Sequence, residues 1–304
     1  MKLSDFFIVF LFSVLYSYIS LGTECFTQKE NSLQSQWTYY AKDVMEDDPN
    51  YKLPHPARET AREILEKSDL TKIETWKKIY VSTKKLFPLD YNDKNYQLFD
   101  QSFFEKKLNK IQELYFYHYI QQKSWKPKKY EEGTDFFSQD FTFVEKISAT
   151  DESKIAIIGD HHSGLHSLLQ FIFDLQLKGF FKGETLTLKE DHKIIFLGDL
   201  ADRGPYGLEI LFFIFYLKQI NFEHIHINNG NHEDFSTYTR YGLADEVLGQ
   251  FGIKMNCEKD YPFLSNLLNS LPSAFYLNFN GKNYHFSHGV VNPFYAGANE
   301  EGLF

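Results

Sequence analysis

The chain has 304 residues, enough for one large domain or two of ordinary size, and a composition of 43% hydrophobic and 24% charged residues excludes an intrinsically disordered protein. Its net charge of −9 excludes a general nucleic-acid binder, because phosphate-backbone affinity rests on clustered Lys and Arg, and the basic knot Lys126–Lys129 is too short to reverse the balance. Two cysteines, Cys25 and Cys257, leave open one disulfide or two separate thiols and exclude a disulfide framework.

In chain order, Lys2 precedes the uncharged run Phe6–Leu21, with small residues Ser20 and Gly22 at its end. Residues 1–22 read as a secretory signal peptide, which implies the secretory pathway or an extracellular location. An uncleaved membrane anchor and a buried helix of a cytoplasmic protein are the alternatives. Residues 23–150 read as a mainly helical region of unknown role. Its apolar stripes recur at helical spacing through Ala57, Ala61, Ile64 and Leu65, then Trp76, Ile79 and Tyr80, then Phe104, Leu108, Ile111 and Tyr115.

From residue 151 to 304 the rhythm changes. Lys154–Gly159, Lys193–Gly198 and His224–Asn229 read as buried strands, and Leu165–Leu177 and Tyr206–Lys218 as the helices between them. This βαβαβ pattern predicts parallel strands with helices packed on the sheet, an α/β fold. Further on, Ala274–Phe279 and Asn283–His288 flank Asn280-Gly281, a hairpin turn signal. Along the third strand His224 and His226 alternate with Ile225 and Ile227, so the histidines are expected on the opposite face from the isoleucines and not among ligands.

Each of the three strands ends in a polar cluster: Gly159-Asp-His-His162, Gly198-Asp-Leu-Ala-Asp-Arg-Gly204 and Gly230-Asn-His-Glu233. The carboxyl ends of parallel strands share one edge, so the clusters are expected to converge on one crevice. Asp160 and His162 stand two apart and point to one side in an extended chain, while Asp199, Asn231 and His288 offer a carboxylate, an amide oxygen and an imidazole. Such mixed oxygen and nitrogen donors suit Mn, Fe or Zn better than Ca. Each residue alone has a plainer reading: Asp199 and Asp202 as helix caps, Asn231 and His232 as turn residues, His288 as a core histidine. The joint order favours the site.

GDHH, GDLADRG, GNHED and SHG, in that order, resemble the signature blocks of the calcineurin-like metallophosphoesterases, over about residues 154–292. Asp202-Arg-Gly204, Tyr241-Gly-Leu-Ala-Asp-Glu246 and Leu271-Pro272 are similar, more narrowly, to the Ser/Thr phosphoprotein phosphatases. The resemblance implies a β-sandwich with flanking helices and two divalent metal ions. Asp160, His162 and bridging Asp199 would hold one ion; Asp199, Asn231 and His288 would hold the other. Arg203 would grip the substrate phosphate, and His232, oriented by Asp202, would act on a proton of the reaction. Two such ions activate a water for in-line attack on a phosphomonoester without a covalent intermediate. The implied partners are a phosphorylated protein or a small phosphoester, with no nucleic acid, and a membrane only where residues 1–22 stay uncleaved; the oligomeric state is not readable.

Two other phosphoesterase types are excluded. Phe263, six residues after Cys257, breaks the Cys-x5-Arg loop of thiol-based phosphatases, and a DHH-type phosphoesterase needs upstream acidic blocks that residues 23–150 lack. The chain departs from the family in two respects. Val290 follows His288-Gly289 where a second glycine is usual, and residues 289–304 hold neither the further His ligand nor the second phosphate-binding Arg, so the domain reads as C-terminally incomplete. Three functions stay open: the metal-dependent phosphatase, a catalytically impaired pseudophosphatase or phosphate-binding scaffold, and a nucleotide or dinucleoside polyphosphate hydrolase of the same fold.

Overall fold

The three apolar runs after residue 150 lie side by side in a computed structural model of the chain, which describes residues 7–8, 55–83, 98–121 and 144–289. The rest of the leader, Cys25, Lys126–Lys129 and Val290 onward lie outside the described residues. The strands are β3 (Lys154–Ile158), β4 (His192–Phe196) and β5 (Ile225–Ile227), all parallel, and β1 (Phe7–Ile8) pairs with β3 at the sheet edge. Strand alternation divides their side chains between two cores. Ala156, Ile158, Ile194 and Phe196 face the helices, while Ile155, Ile157 and Ile195 face a second sheet.

That second sheet has the order β2-β6-β7. Its hairpin, β6 (Ala274–Phe279) and β7 (Lys282–Ser287), turns at Asn280-Gly281, both at positive φ, as a type I′ turn requires. Strand β2 (Val144–Ala149) pairs in parallel with β6, although the sequence pattern places this segment in the helical region. Its inward face carries Glu145, which breaks the apolar alternation and is buried because it meets His226 Nδ1 at 2.9 Å. His226 thus points toward the second sheet, against Phe275, while Ile225 and Ile227 pack under the helices.

The crossovers are α4 (Leu165–Leu177), between β3 and β4, and α5 (Gly207–Ile220), between β4 and β5. Helix α5 buries residues all round, and a helix apolar on every side needs cover on both faces. The sheet supplies one cover. The other comes from α2 (Ile73–Thr83), on which α1 (His55–Lys67) packs, and from α3 (Gln101–Gln121) with the residues just before it: Trp76 packs on Phe212 and Phe213, and Phe99, Phe103 and Phe104 surround Phe212. The helical segments therefore share one core with the sheet. After β5 come α6 (Phe235–Tyr241), α7 (Leu243–Phe251) and α8 (Pro262–Asn269). Cys257 is an exposed free thiol. Among the described residues no helix is long and apolar enough to cross a membrane.

Candidate active site

The loops leaving β3, β4 and β5 are joined backbone to backbone. The N–H groups of His161 and His162 both donate to Asp199 O at 3.0 Å, and Ser163 N donates to Leu200 O at 3.0 Å. Gly198, at φ 103°, lies against Gly230; a Cβ at position 198 would stand 2.6 Å from Gly230 N, so this contact admits no side chain. Five residues without that freedom also have positive φ: His162, Ser163, Asp199, Asp202 and Arg203. Each such conformation costs about 1–3 kcal/mol and persists only where surrounding structure holds it. Among the described residues, all positive-φ non-glycines except the turn residue Asn280 lie in these two loops.

The loops and the end of the β6–β7 hairpin bring together all eight residues singled out from the sequence. His162, Asp199 and His232 each place a donor atom within 4.8 Å of the others, and Asp160, Asp199 and His288 form a second trio of the same kind. Asp199 belongs to both. The compact trios differ from the expected ligand sets in grouping Asp160 with His288 and admitting His232. Asn231 Oδ1 stands 3.1 Å from His288 Nε2.

Lone pairs decide whether these residues fit a cation pair. His162 Nδ1 faces Ala201 O at 3.3 Å and His288 Nδ1 faces Leu197 O at 3.1 Å; a carbonyl only accepts, so each Nδ1 carries the hydrogen. In the neutral rings this leaves the Nε2 lone pairs directed at the carboxylates, the tautomer a metal-binding imidazole adopts. His162 Nε2 lies 3.6 Å from Asp199 Oδ2 and 3.9 Å from Asp160 Oδ2, and it accepts from Arg203 Nη1 at 3.3 Å. His288 Nε2 lies 3.2 Å from Asp199 Oδ1. Acceptors converging in this way require positive charge between them. In the metal-free protein a proton supplies it at His288, whose hydrogen bond to Asp199 pushes its pKa up to about 9. Burial, followed by the Arg203 charge, holds the His162 pKa below its usual value. Burial alone would raise Asp199, but hydrogen bonds from His288 and from His232 N outweigh it and keep the carboxyl low. Two carboxylates, an amide oxygen and two imidazoles fit divalent cations.

Beside the carboxylates, His232 Nδ1 donates to Asp202 Oδ2 at 2.8 Å, with both side chains fully buried. The second oxygen of Asp202 accepts from Leu243 N at 2.8 Å, so Asp202 caps α7, not the helix that follows it in sequence near Pro205, while it orients His232. His232 Nε2 is buried without a hydrogen-bond partner. Beside the donor trios, this nitrogen is free to meet a reacting group. Tyr241 lies edge-on to the His232 ring at 5.0 Å, and the exposed Arg203 guanidinium sits over Tyr241 at 5.5 Å.

Two supporting glutamates escaped the sequence reading although both lie within quoted motifs. The Glu233 carboxylate accepts from Asp199 N, Leu200 N and Gly230 N at 2.9, 2.8 and 2.7 Å. Burial pushes its pKa up to about 7, with these N–H groups pulling the other way. Glu246 accepts from the first turn of α5. Two further histidines serve packing: His161 is buried against Phe196, and His166 sits between Tyr80 and Tyr206.

A parallel sheet with polar loops meeting at its carboxyl edge, stacked on a second sheet and lined with paired acid and imidazole donors, is the framework of a metal-dependent phosphoesterase. Residues 153–300 match the calcineurin-like phosphoesterase family. Among similar proteins, serine/threonine-protein phosphatase with EF-hands 1 of Rattus norvegicus is 29% identical over 186 residues, 61% of this chain and 25% of that protein. Human serine/threonine-protein phosphatase 5 is 29% identical over 137 residues, 45% of this chain and 24% of that protein. A solved serine/threonine phosphatase from Saccharomyces cerevisiae overlays with a TM-score of 0.38 and 20% identity, covering 58% of this chain and 45% of that one. The chain spans about a quarter of the length of these two curated relatives.

Proposed function

We propose that the protein hydrolyses phosphomonoesters on Ser or Thr side chains, using two divalent cations. One observation carries this reading: acid and imidazole donors from three separate loops and a hairpin end form two trios that share Asp199. Asp160, His162 and Asp199 would hold one ion, and Asp199, Asn231 and His288 the other. Bound there, the ions supply Lewis acidity, neutralising the phosphate and lowering the pKa of an attacking water.

The chain's own residues do the rest. Arg203, exposed and resting on Tyr241, offers a planar fork to two phosphate oxygens, giving up its contact with His162. His232 holds Nδ1–H on Asp202 and presents Nε2 toward the reacting groups, where its proton passes to the leaving alkoxide. Asp202, accepting from Nδ1–H, holds the ring in this orientation through the transfer.

The relatives are named serine/threonine-protein phosphatases, which favours a phosphoprotein over a small phosphoester. A panel of phosphoserine peptide, phosphothreonine peptide, p-nitrophenyl phosphate and a dinucleoside polyphosphate, each with Mn, tests the assignment. The phosphopeptides are expected to have the highest kcat/KM. Preference for the dinucleoside polyphosphate would replace this reading with the nucleotide one, and metal binding without turnover of any substrate would replace it with a scaffold. We also read residues 1–22 as a secretory leader, on Lys2 and the uncharged run Phe6–Leu21. Recovery of the native protein with Met1 intact and β1 retained would contradict that.

A further inference from the structure

The segment Tyr241–Glu246 meets the phosphate loop from behind, and its last residue has no role in the chemistry above. The loop runs from Asp199, at the end of β4, to the first turn of α5, and its residues Asp199, Asp202 and Arg203 have φ of 51, 67 and 58°. Left-handed residues other than glycine need holding. At the loop's start Glu233 takes the N–H groups of Asp199 and Leu200. In the middle Arg203 N donates to Tyr241 O at 3.0 Å, and Asp202 accepts from Leu243 N.

At the loop's end Glu246, with no exposed surface, takes the N–H groups of Gly207 and Leu208, both at 3.1 Å. These two donors belong to the first turn of a helix, where no intrahelical acceptor exists, and they are buried. A carboxylate at a helix N-terminus also meets the positive end of the helix dipole. Glu246 lies near Glu209, and both burial and that neighbour oppose its charge, so a residue needed for packing alone would be better apolar. Gly207 leaves room for this contact: a Cβ there would stand 2.7 Å from Glu246 Oε1 and 3.1 Å from Ser163 Oγ.

We propose that Glu246 is a positioning residue, a buried clamp on the first turn of α5 that sets Arg203 and Asp202 for phosphate recognition while Glu233 independently sets Asp199. This rests on the phosphoester reading above. The clamps act on opposite ends of the loop, so loss of Glu246 should weaken phosphate binding and leave metal binding intact.

The test compares the wild-type chain with Glu246→Gln and Gly207→Ala. The glutamine is isosteric but turns one acceptor into a donor. The alanine keeps Glu246, suits a helix, and pushes the carboxylate off its seat, so it carries the test if Glu246→Gln fails to fold. In the metal-free protein, amide exchange at Gly207 and Leu208 is expected to quicken about tenfold in both variants, the loss of one buried hydrogen bond. In the Mn-loaded protein, the Kd for inorganic phosphate and the KM for p-nitrophenyl phosphate should both rise about tenfold, with Mn affinity within about twofold of wild type.

Unchanged exchange at the two amides overturns the clamp. Faster exchange with wild-type phosphate affinity in the folded variants assigns Glu246 to stability alone and overturns the positioning role, leaving the phosphoester reading in place. A Mn-loaded wild-type chain that binds no phosphate overturns both, and that outcome is read from the wild type before any variant is compared.

Discussion

Replacing Asp202 by asparagine perturbs one atom of the site. The new amide would keep its oxygen for Leu243 N, now bonded at 2.8 Å, and would turn an NH2 group toward His232 Nδ1, where a carboxylate oxygen stands at 2.8 Å. The ring must then present a lone pair at Nδ1 and carry its single proton on Nε2. The imidazolium loses a fully buried charge-assisted hydrogen bond, worth about 1.5–3 kcal/mol. At 1.36 kcal/mol per factor of ten, kcat should fall by about 10- to 100-fold. The assay is Mn-supported hydrolysis of phenyl phosphate and p-nitrophenyl phosphate, using Asp202→Asn protein whose circular dichroism and Mn affinity match wild type. The loss should be larger with phenyl phosphate, because the more basic phenoxide depends more on a proton from His232. A kcat for phenyl phosphate within about twofold of wild type would refute the role given to the Asp202–His232 pair.

Two further predictions concern the scaffold. Gly198→Ala puts a side chain at φ 103° and 2.6 Å from Gly230 N, so backbone must move; the variant should lose about 3 kcal/mol or more in urea unfolding, and an unchanged midpoint contradicts the close approach. His161 is buried uncharged, and burial, followed by the charge of His162, lowers its pKa from 6.5 to about 4. Its contribution to stability is complete above pH 6.5 and lost as pH falls through 4, about 3 kcal/mol over that window in the metal-free protein. His161→Leu should flatten the slope; an unaltered slope between pH 7.5 and 4 would show that another group causes it.

The parts of this fold visible in the sequence are those whose physics is local. Strands β3 to β5 are short apolar runs ending near glycine or asparagine, and α4 has the bounds its leucines and phenylalanines indicate. Strand β2 was hidden because its inward Glu145 finds a partner 81 residues away in His226, a pairing no local pattern records. The role of α1 to α3 was hidden for the same reason. The apolar surface of α5 signals that a cover is needed, but only the tertiary structure shows which segments supply it. At the site, residue types and spacing marked the groups that line the crevice. Glu233 and Glu246 were passed over because a glutamate reads as a surface residue until the backbone N–H groups it satisfies are known.

The central claim, that paired cations around Asp199 make this chain a phosphatase, is tested most directly by phosphate release from a phosphoserine peptide, with and without Mn. The wild-type chain should release phosphate only with the metal, and Asp199→Asn, which weakens a carboxylate common to both donor trios, should lower kcat/KM by about a hundredfold or more. A metal-loaded wild-type chain that leaves the peptide intact, or an Asp199→Asn variant as active as wild type, would contradict it.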